Sequence, residues 1–221
     1  MKRLLIFVVP FLVISFAGDS NSSEYYPFKV GRKLLYSSNV GIITEVNILP
    51  SKAFNGQSFN TVEIVTSKGN NKQSEITYFI EDESGIKLAR PLSSNDPVPK
   101  VLDEDEWEFA FPLKEGNSWP EKQKSVMFTE RIPYTDINVI EKMNDEISVP
   151  AGTFKNCMMI KSYFKGKVNL GSYGGEPEIN IECYRWYAPG VGQIKYILKE
   201  SASDPKLGGG EIIMELKSIQ N

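Results

Sequence analysis

Along most of the chain, apolar positions alternate with polar ones in short runs, and Gly, Pro, Asn and Asp separate the runs. Alternation with a period of two marks a half-buried β-strand. The runs at 34–49, 59–66, 75–81, 86–90, 107–111, 124–132, 137–142, 154–164, 178–187, 192–200 and 211–219 read as strands, with a break inside the first. Ile76-Thr77-Tyr78-Phe79-Ile80 carries the β-branched and aromatic residues that suit a pleated surface. No window sustains i, i+3, i+4, i+7 apolar spacing over three turns. Residues 136–147 come nearest, with Ile137, Ile140, Glu141 and Met143. They read as a strand and turn, with a short helix as the alternative. The pattern predicts an all-β fold of about ten short strands, an open β-barrel or a β-roll or sandwich.

The first residues depart from this pattern. Lys2 and Arg3 precede the apolar run Leu4–Phe16, and Ser15-Phe16-Ala17 places small residues at −3 and −1 before polar Gly18-Asp19-Ser20. This is the pattern of a secretory signal peptide over residues 1–17. The alternative, a membrane anchor, needs about 20 apolar residues, and this run has 13. No cysteine follows the run to take a lipid. No later segment is long and apolar enough to span a bilayer, so the mature chain is expected to lack a span. Residues 18–24 read as a disordered lead-in, with one glycosylation sequon at Asn21-Ser22-Ser23. Residues 25–221 read as a single β domain.

Charge and composition narrow the chemistry. The net charge is −3, falling to −5 without Lys2 and Arg3, and no basic run is interleaved with aromatics. Nucleic acid is therefore not an expected partner. The chain has no histidine, which removes Ser-His-Asp and Cys-His catalysis and His-ligated zinc. No cofactor and no metal are expected. The acidic stretches Glu81-Asp82-Glu83 and Asp103-Glu104-Asp105-Glu106 lack the ordered spacing of a calcium loop and read as solvated turns. A carboxylate pair of the glycosidase kind stays open, with no way to choose its members. In an oxidising compartment, Cys157 and Cys183 are expected to form a disulfide. Antiparallel strands 154–164 and 178–187, flanking a loop at 165–177, would set them opposite each other; buried thiols on different faces are the alternative.

Three blocks recur in order. Tyr26-Pro27-Phe28-Lys29-Val30-Gly31 matches Phe111-Pro112-Leu113-Lys114-Glu115-Gly116. Phe59 and Phe154 then head similar strands, and Tyr78-Phe79 before Gly85 matches Trp186-Tyr187 before Gly192. Two related halves, 25–100 and 105–221, are expected. Pro27, Gly31, Pro112 and Gly116 read as turn residues that launch strands, with a Lys29/Lys114 anion site as the alternative. Pro150 and Gly152 form a turn feeding a strand, and Trp186 ends one before the Pro189-Gly190 type II turn and Gly192. Trp186 and Tyr187 should face opposite sides, one in the core and the other on the rim.

Tyr25-Tyr26-Pro27-Phe28-Lys29-Val30-Gly31, Phe111-Pro112-Leu113-Lys114-Glu115-Gly116-Asn117-Ser118-Trp119, Val149-Pro150-Ala151-Gly152-Thr153-Phe154-Lys155-Asn156-Cys157 and Trp186-Tyr187-Ala188-Pro189-Gly190-Val191-Gly192 resemble exported bacterial proteins related to the domain of unknown function DUF3108, some labelled TapB. The chain departs from that pattern at Leu34-Leu35-Tyr36, where the family usually carries a Trp. The resemblance implies an open β-barrel or roll, distantly similar to periplasmic lipoprotein carriers, and brings no catalytic residues. The expected function is a non-catalytic, exported β protein, periplasmic or secreted, that binds an apolar small molecule or lipid, or another envelope protein. The alternatives are an interaction module with a filled core and a hydrolase that uses carboxylates. An apolar cavity discriminates the carrier from the filled module.

Overall fold

Turn chemistry cuts the chain into strands. Between β2 (Ile42–Phe54) and β3 (Gln57–Lys68), Asn55 and Gly56 both take positive φ, 51° and 81°. That is the two-residue hairpin turn whose twist matches its flanking strands. The remaining strands are β1 (Lys33–Ser38), β4 (Asn71–Asp82), β5 (Gly85–Ser93), β6 (Asp96–Lys100), β7 (Trp107–Ala110), β8 (Ser118–Lys124), β9 (Pro133–Val149), β10 (Gly152–Lys167), β11 (Glu178–Ala188), β12 (Gly192–Ala202) and β13 (Gly210–Gln220). The computed structural model describes residues 22–93, 96–101, 107–169 and 175–221. Residues 1–17, read as a signal peptide, the start of the lead-in read at 18–24 and the Asp103–Glu106 run lie outside the described residues. Among those described, no helix is long and apolar enough to cross a membrane.

The fold is all-β, as expected, and forms one antiparallel sheet of thirteen strands. The order is β6-β5-β4-β3-β2-β1-β13-β12-β11-β10-β9-β8, with β7 on the edge of β5. Two six-strand meanders, β1–β6 and β8–β13, therefore lie side by side and join where β1 pairs with β13. The sheet curls around a shared interior. Ile48, Val62, Phe79, Ile86 and Phe109 from one side pack in one cluster with Trp119, Ile140, Ile160 and Tyr187 from the other. The Phe109 and Tyr187 rings meet edge-on at 4.8 Å. The free edges β7 and β8 share no backbone ladder, so the sheet is not closed.

Several elements differ from the sequence reading. Strands are more numerous and longer than expected: β9 has 17 residues and β10 has 16. Residues 136–147 form neither a turn nor a helix but the middle of β9. Residues 125–132 do not form a strand. The Glu200 carboxylate accepts the backbone N–H groups of Val126 (2.8 Å) and Met127 (2.7 Å), and the Ser125 hydroxyl accepts that of Ile132 (2.8 Å). These side chains satisfy the backbone in place of a ladder. The strand sits just before this loop, at β8, where Pro120 is tolerated because β8 is an edge.

The disulfide is not formed. The hairpin of β10 and β11 exists, but its register runs from Met158↔Tyr187 to Lys167↔Glu178, which sets Cys183 opposite Ser162, five residues from Cys157. An odd offset along a regular strand sends the two side chains to opposite faces. Cys157 packs beside Leu34 and Tyr36, Cys183 beside Ile181 and Leu198, and both are buried free thiols.

Candidate functional site

The two Pro-x-Lys-x-Gly segments are built alike. Arg32 N donates to the Lys29 carbonyl at 3.1 Å, and Asn117 N donates to that of Lys114 at 3.1 Å. Gly31 N reaches the Ile48 carbonyl at 2.9 Å and Gly116 N that of Ile140 at 2.8 Å. Ile48 N returns to the Arg32 carbonyl, and Ile140 N to that of Asn117, both at 2.9 Å. Gly31 and Gly116 take φ of 89° and 83°, which glycine alone adopts readily. Lys29 and Lys114 are both exposed.

The first segment also plugs the interior. Tyr26 packs against Phe28 (5.1 Å), Phe79 (5.3 Å) and Phe109 (5.7 Å). The plug is tied to the β11–β12 turn. Gly190 N donates to the Glu24 carbonyl and Arg32 Nη1 to the Gly190 carbonyl, each at 2.6 Å. Pro189-Gly190 thus acts as an anchor as well as a turn. Pro150 and Gly152 flank the β9–β10 turn, where Ala151 N donates to the Leu216 carbonyl at 3.0 Å. Pro112 follows a cis peptide bond, and its carbonyl accepts from Asn117 Nδ2 at 3.0 Å. Tyr187 is fully buried, whereas Trp186 is half-buried, stacks on Tyr184 and donates to Asp145 Oδ2 at 3.2 Å.

Beside the plug lies an apolar recess of about 210 Å³. Leu34, Tyr36, Val46, Ile48, Val62 and Ile64 line its sheet side, and Pro27 and Gly192 belong to its rim. Burial pushes the Tyr36 phenol well up, and its hydroxyl donates to the Gln193 carbonyl at 2.7 Å, which fixes the rim. The sequence reading selected Pro27 and Gly192 as turn residues and named no ligand-binding residue. The signal was the parity of β1 to β3, where Leu34, Tyr36, Val46, Ile48, Val62 and Ile64 all face one side.

In the other half the interior carries a polar cluster among its apolar residues. Arg185 on β11, its side chain 11% exposed, donates through Nη2 to Glu121 Oε2 (3.1 Å) and to Asn138 Oδ1. Asn138 Nδ2 and Gln123 Nε2 donate to the same carboxylate. Tyr187 OH donates to Glu108 Oε1 at 3.1 Å. Glu108 stands on β7 and Glu121 on β8, so β11 holds both free edges through side chains inside the curl. Asp136, paired in register with Glu121, is 3% exposed. Burial, with the Glu121 charge adding, pushes its carboxyl up to about 6 against the opposing pull of Ser162 and Arg185. Burial likewise raises Glu108 and lifts the Cys183 thiol to about 11. Among the described residues, Asp136 Oδ1 and Arg185 Nε have no hydrogen-bond partner, and both residues line a space of about 70 Å³.

Two facing carboxylates are what hydrolysis by paired acids needs. Glu121 is committed to three donors, however, and Asp136 is shut off from solvent. Asp82, from the first acidic run, caps its own turn by accepting Ser84 N at 2.7 Å. Among the described residues, no three acidic or cysteine side chains converge on a metal-sized site.

No family model matches the chain, so the likeness to DUF3108 rests on the four segments alone, and no curated protein matches it. The chain has a low similarity to two solved structures. One is described as a "putative lipoprotein" from Parabacteroides distasonis, 13% identical, covering 89% of this chain and 98% of that one with a TM-score of 0.48. The other is described as a "putative exported protein with YmcC-like fold" from Bacteroides fragilis, 11% identical, covering 90% of this chain and 99% of that one with a TM-score of 0.43.

Proposed function

We propose that this chain is an exported, non-catalytic β protein that holds an apolar chain end or ring in the interior of its curled sheet. The observation that carries the reading is the apolar recess of about 210 Å³ beside the aromatic plug. In a filled core, side chains would occupy that space at close-packed density. An apolar cavity of about 150 Å³ already takes a benzene-sized guest, so this recess admits a ring or several methylenes. It is smaller than the pockets that enclose whole drug-sized ligands, which fits one end of a longer molecule. The basic, apolar and small-residue order of residues 1–17 supports export.

Native mass spectrometry of the protein purified from its own host tests the reading. The expected result is a mass excess that organic extraction removes, together with displacement of the apolar fluorophore N-phenylnaphthylamine by the extracted material. A bare polypeptide mass, with no fluorophore uptake, would overturn it in favour of an interaction module with a filled core.

A further inference from the structure

The apolar recess shares a wall residue with a second space. Ile64 lines it and also lines the next space, of about 420 Å³, together with Thr66, Gln73, Glu75 and Arg131. Arg131 comes from the loop between β8 and β9, in the other half of the chain, and lines in turn a wider space of about 710 Å³. Among the described residues, Lys122, Lys124 and Arg90 border that wider space without a carboxylate, while Arg90 and Lys122 also border a smaller space with Glu108 and Glu121. Arg131 and Lys124 are exposed and form no ion pair among the described residues. Arg131 and Lys124 are thus two exposed cations on a row of spaces that starts at the Ile64 wall of the recess, and among the described residues Glu75 is the carboxylate that lines the space next to it.

We infer that the ligand is an anionic amphiphile. Its apolar chain enters the recess past Ile64, and its carboxylate or phosphate head lies against Arg131 and Lys124. This rests on the reading of the recess as a ligand pocket and adds the head-group chemistry to it. The charge argument runs one way. A neutral chain gains nothing from cations at the mouth, and a cationic amphiphile is repelled. An anion receives charge-assisted hydrogen bonds from a guanidinium that matches carboxylate and phosphate geometry.

The test is calorimetric titration of the purified chain at low salt with dodecyl phosphate, dodecanoate, dodecanol and dodecyltrimethylammonium, all as monomers. Dodecyl phosphate or dodecanoate should bind about tenfold more tightly than dodecanol, and the preference should shrink as salt screens the mouth. The phosphate and carboxylate arms show which head is preferred. The double variant Arg131→Ala/Lys124→Ala, altered only at exposed positions, should bring the anions to within about twofold of dodecanol and leave dodecanol unchanged. Arg131→Glu should shift preference toward dodecyltrimethylammonium. Equal binding of dodecanol and the anions, or a loss shared by all four probes in the double variant, would overturn the head-group inference and leave the apolar recess standing. Binding of none of the four would overturn the recess as well.

Discussion

At equivalent places the two halves of the sheet carry the same backbone and opposite chemistry. Counted from Gly31 and from Gly116, β1 and β8 enter their hairpins in one register. Leu34 pairs with Val46 where Trp119 pairs with Asn138, and Tyr36 pairs with Thr44 where Glu121 pairs with Asp136. One strand further, Ile64 lies opposite Val46 and Ser162 opposite Asn138. The first set borders the recess, and the second holds Arg185. Ladder geometry and launch turn are thus indifferent to what the interior contains. Interior character is set at a handful of inward positions whose side chains can change while the strand order stays.

The comparison breaks most sharply at Arg185. Arg185→Met should cost about 3–5 kcal/mol in urea unfolding, because Glu121 keeps its buried charge without its partner. Adding Glu121→Tyr and Asp136→Thr, the residues at the matching places in the first half, should restore part of that loss. A second, smaller effect is the pH dependence that Asp136 brings to the second half. Asp136 ordinarily titrates near 3.8 and is raised to about 6 when folded. Its neutral form is favoured in the folded chain, so stability is full below pH 4 and falls by about 2–3 kcal/mol as pH rises through 6. Asp136→Asn should flatten that part of the pH–stability profile, whereas Thr44→Ser at the matching site should not. Third, Gly31→Ala and Gly116→Ala should each cost about 1–2 kcal/mol for positive φ. An added Cβ meets nothing within 4 Å at either site, so the two thermal shifts should agree; a clear inequality would show that the launch turns bear different loads. The smallest expected effect is none. Reductant should leave stability unchanged, and thiol titration should find two groups that react only after denaturation, since no bond staples the second half.

The sequence made the fold class and most hairpins legible because turn chemistry is local. Pro189-Gly190 and the two Pro-x-Lys-x-Gly turns need no distant partner to be recognised. Strand β8 was obscured by Pro120 and three charged residues, which only its edge position tolerates. The cysteine pairing failed for a different reason. It depended on register, and the chain turns between Lys167 and Glu178, later than the loop centre suggested. The polar interior left a trace that alternation alone could have revealed. Ile179, Ile181, Cys183, Arg185 and Tyr187 share one face of β11, so a guanidinium on an otherwise apolar side pointed to buried acids. Which acids they were depended on strands far away in sequence. Parity marked the β1–β3 wall of the recess, but its closure by residues 191–214 depended on pairing across the chain.

The pairing of β1 with β13 has a consequence in time. Lys33 finds its partner at Gln220, and Arg32 Nε reaches Asn221, 189 residues away. The seam that unites the two meanders therefore requires the last strand to be available. Each meander can assemble from neighbours as it emerges, but the junction and the tyrosine plug beside it must wait for β13. Contacts of such long sequence separation slow folding. The chain should spend that interval with one edge of β1 exposed, until the eleven residues of β13 cover it.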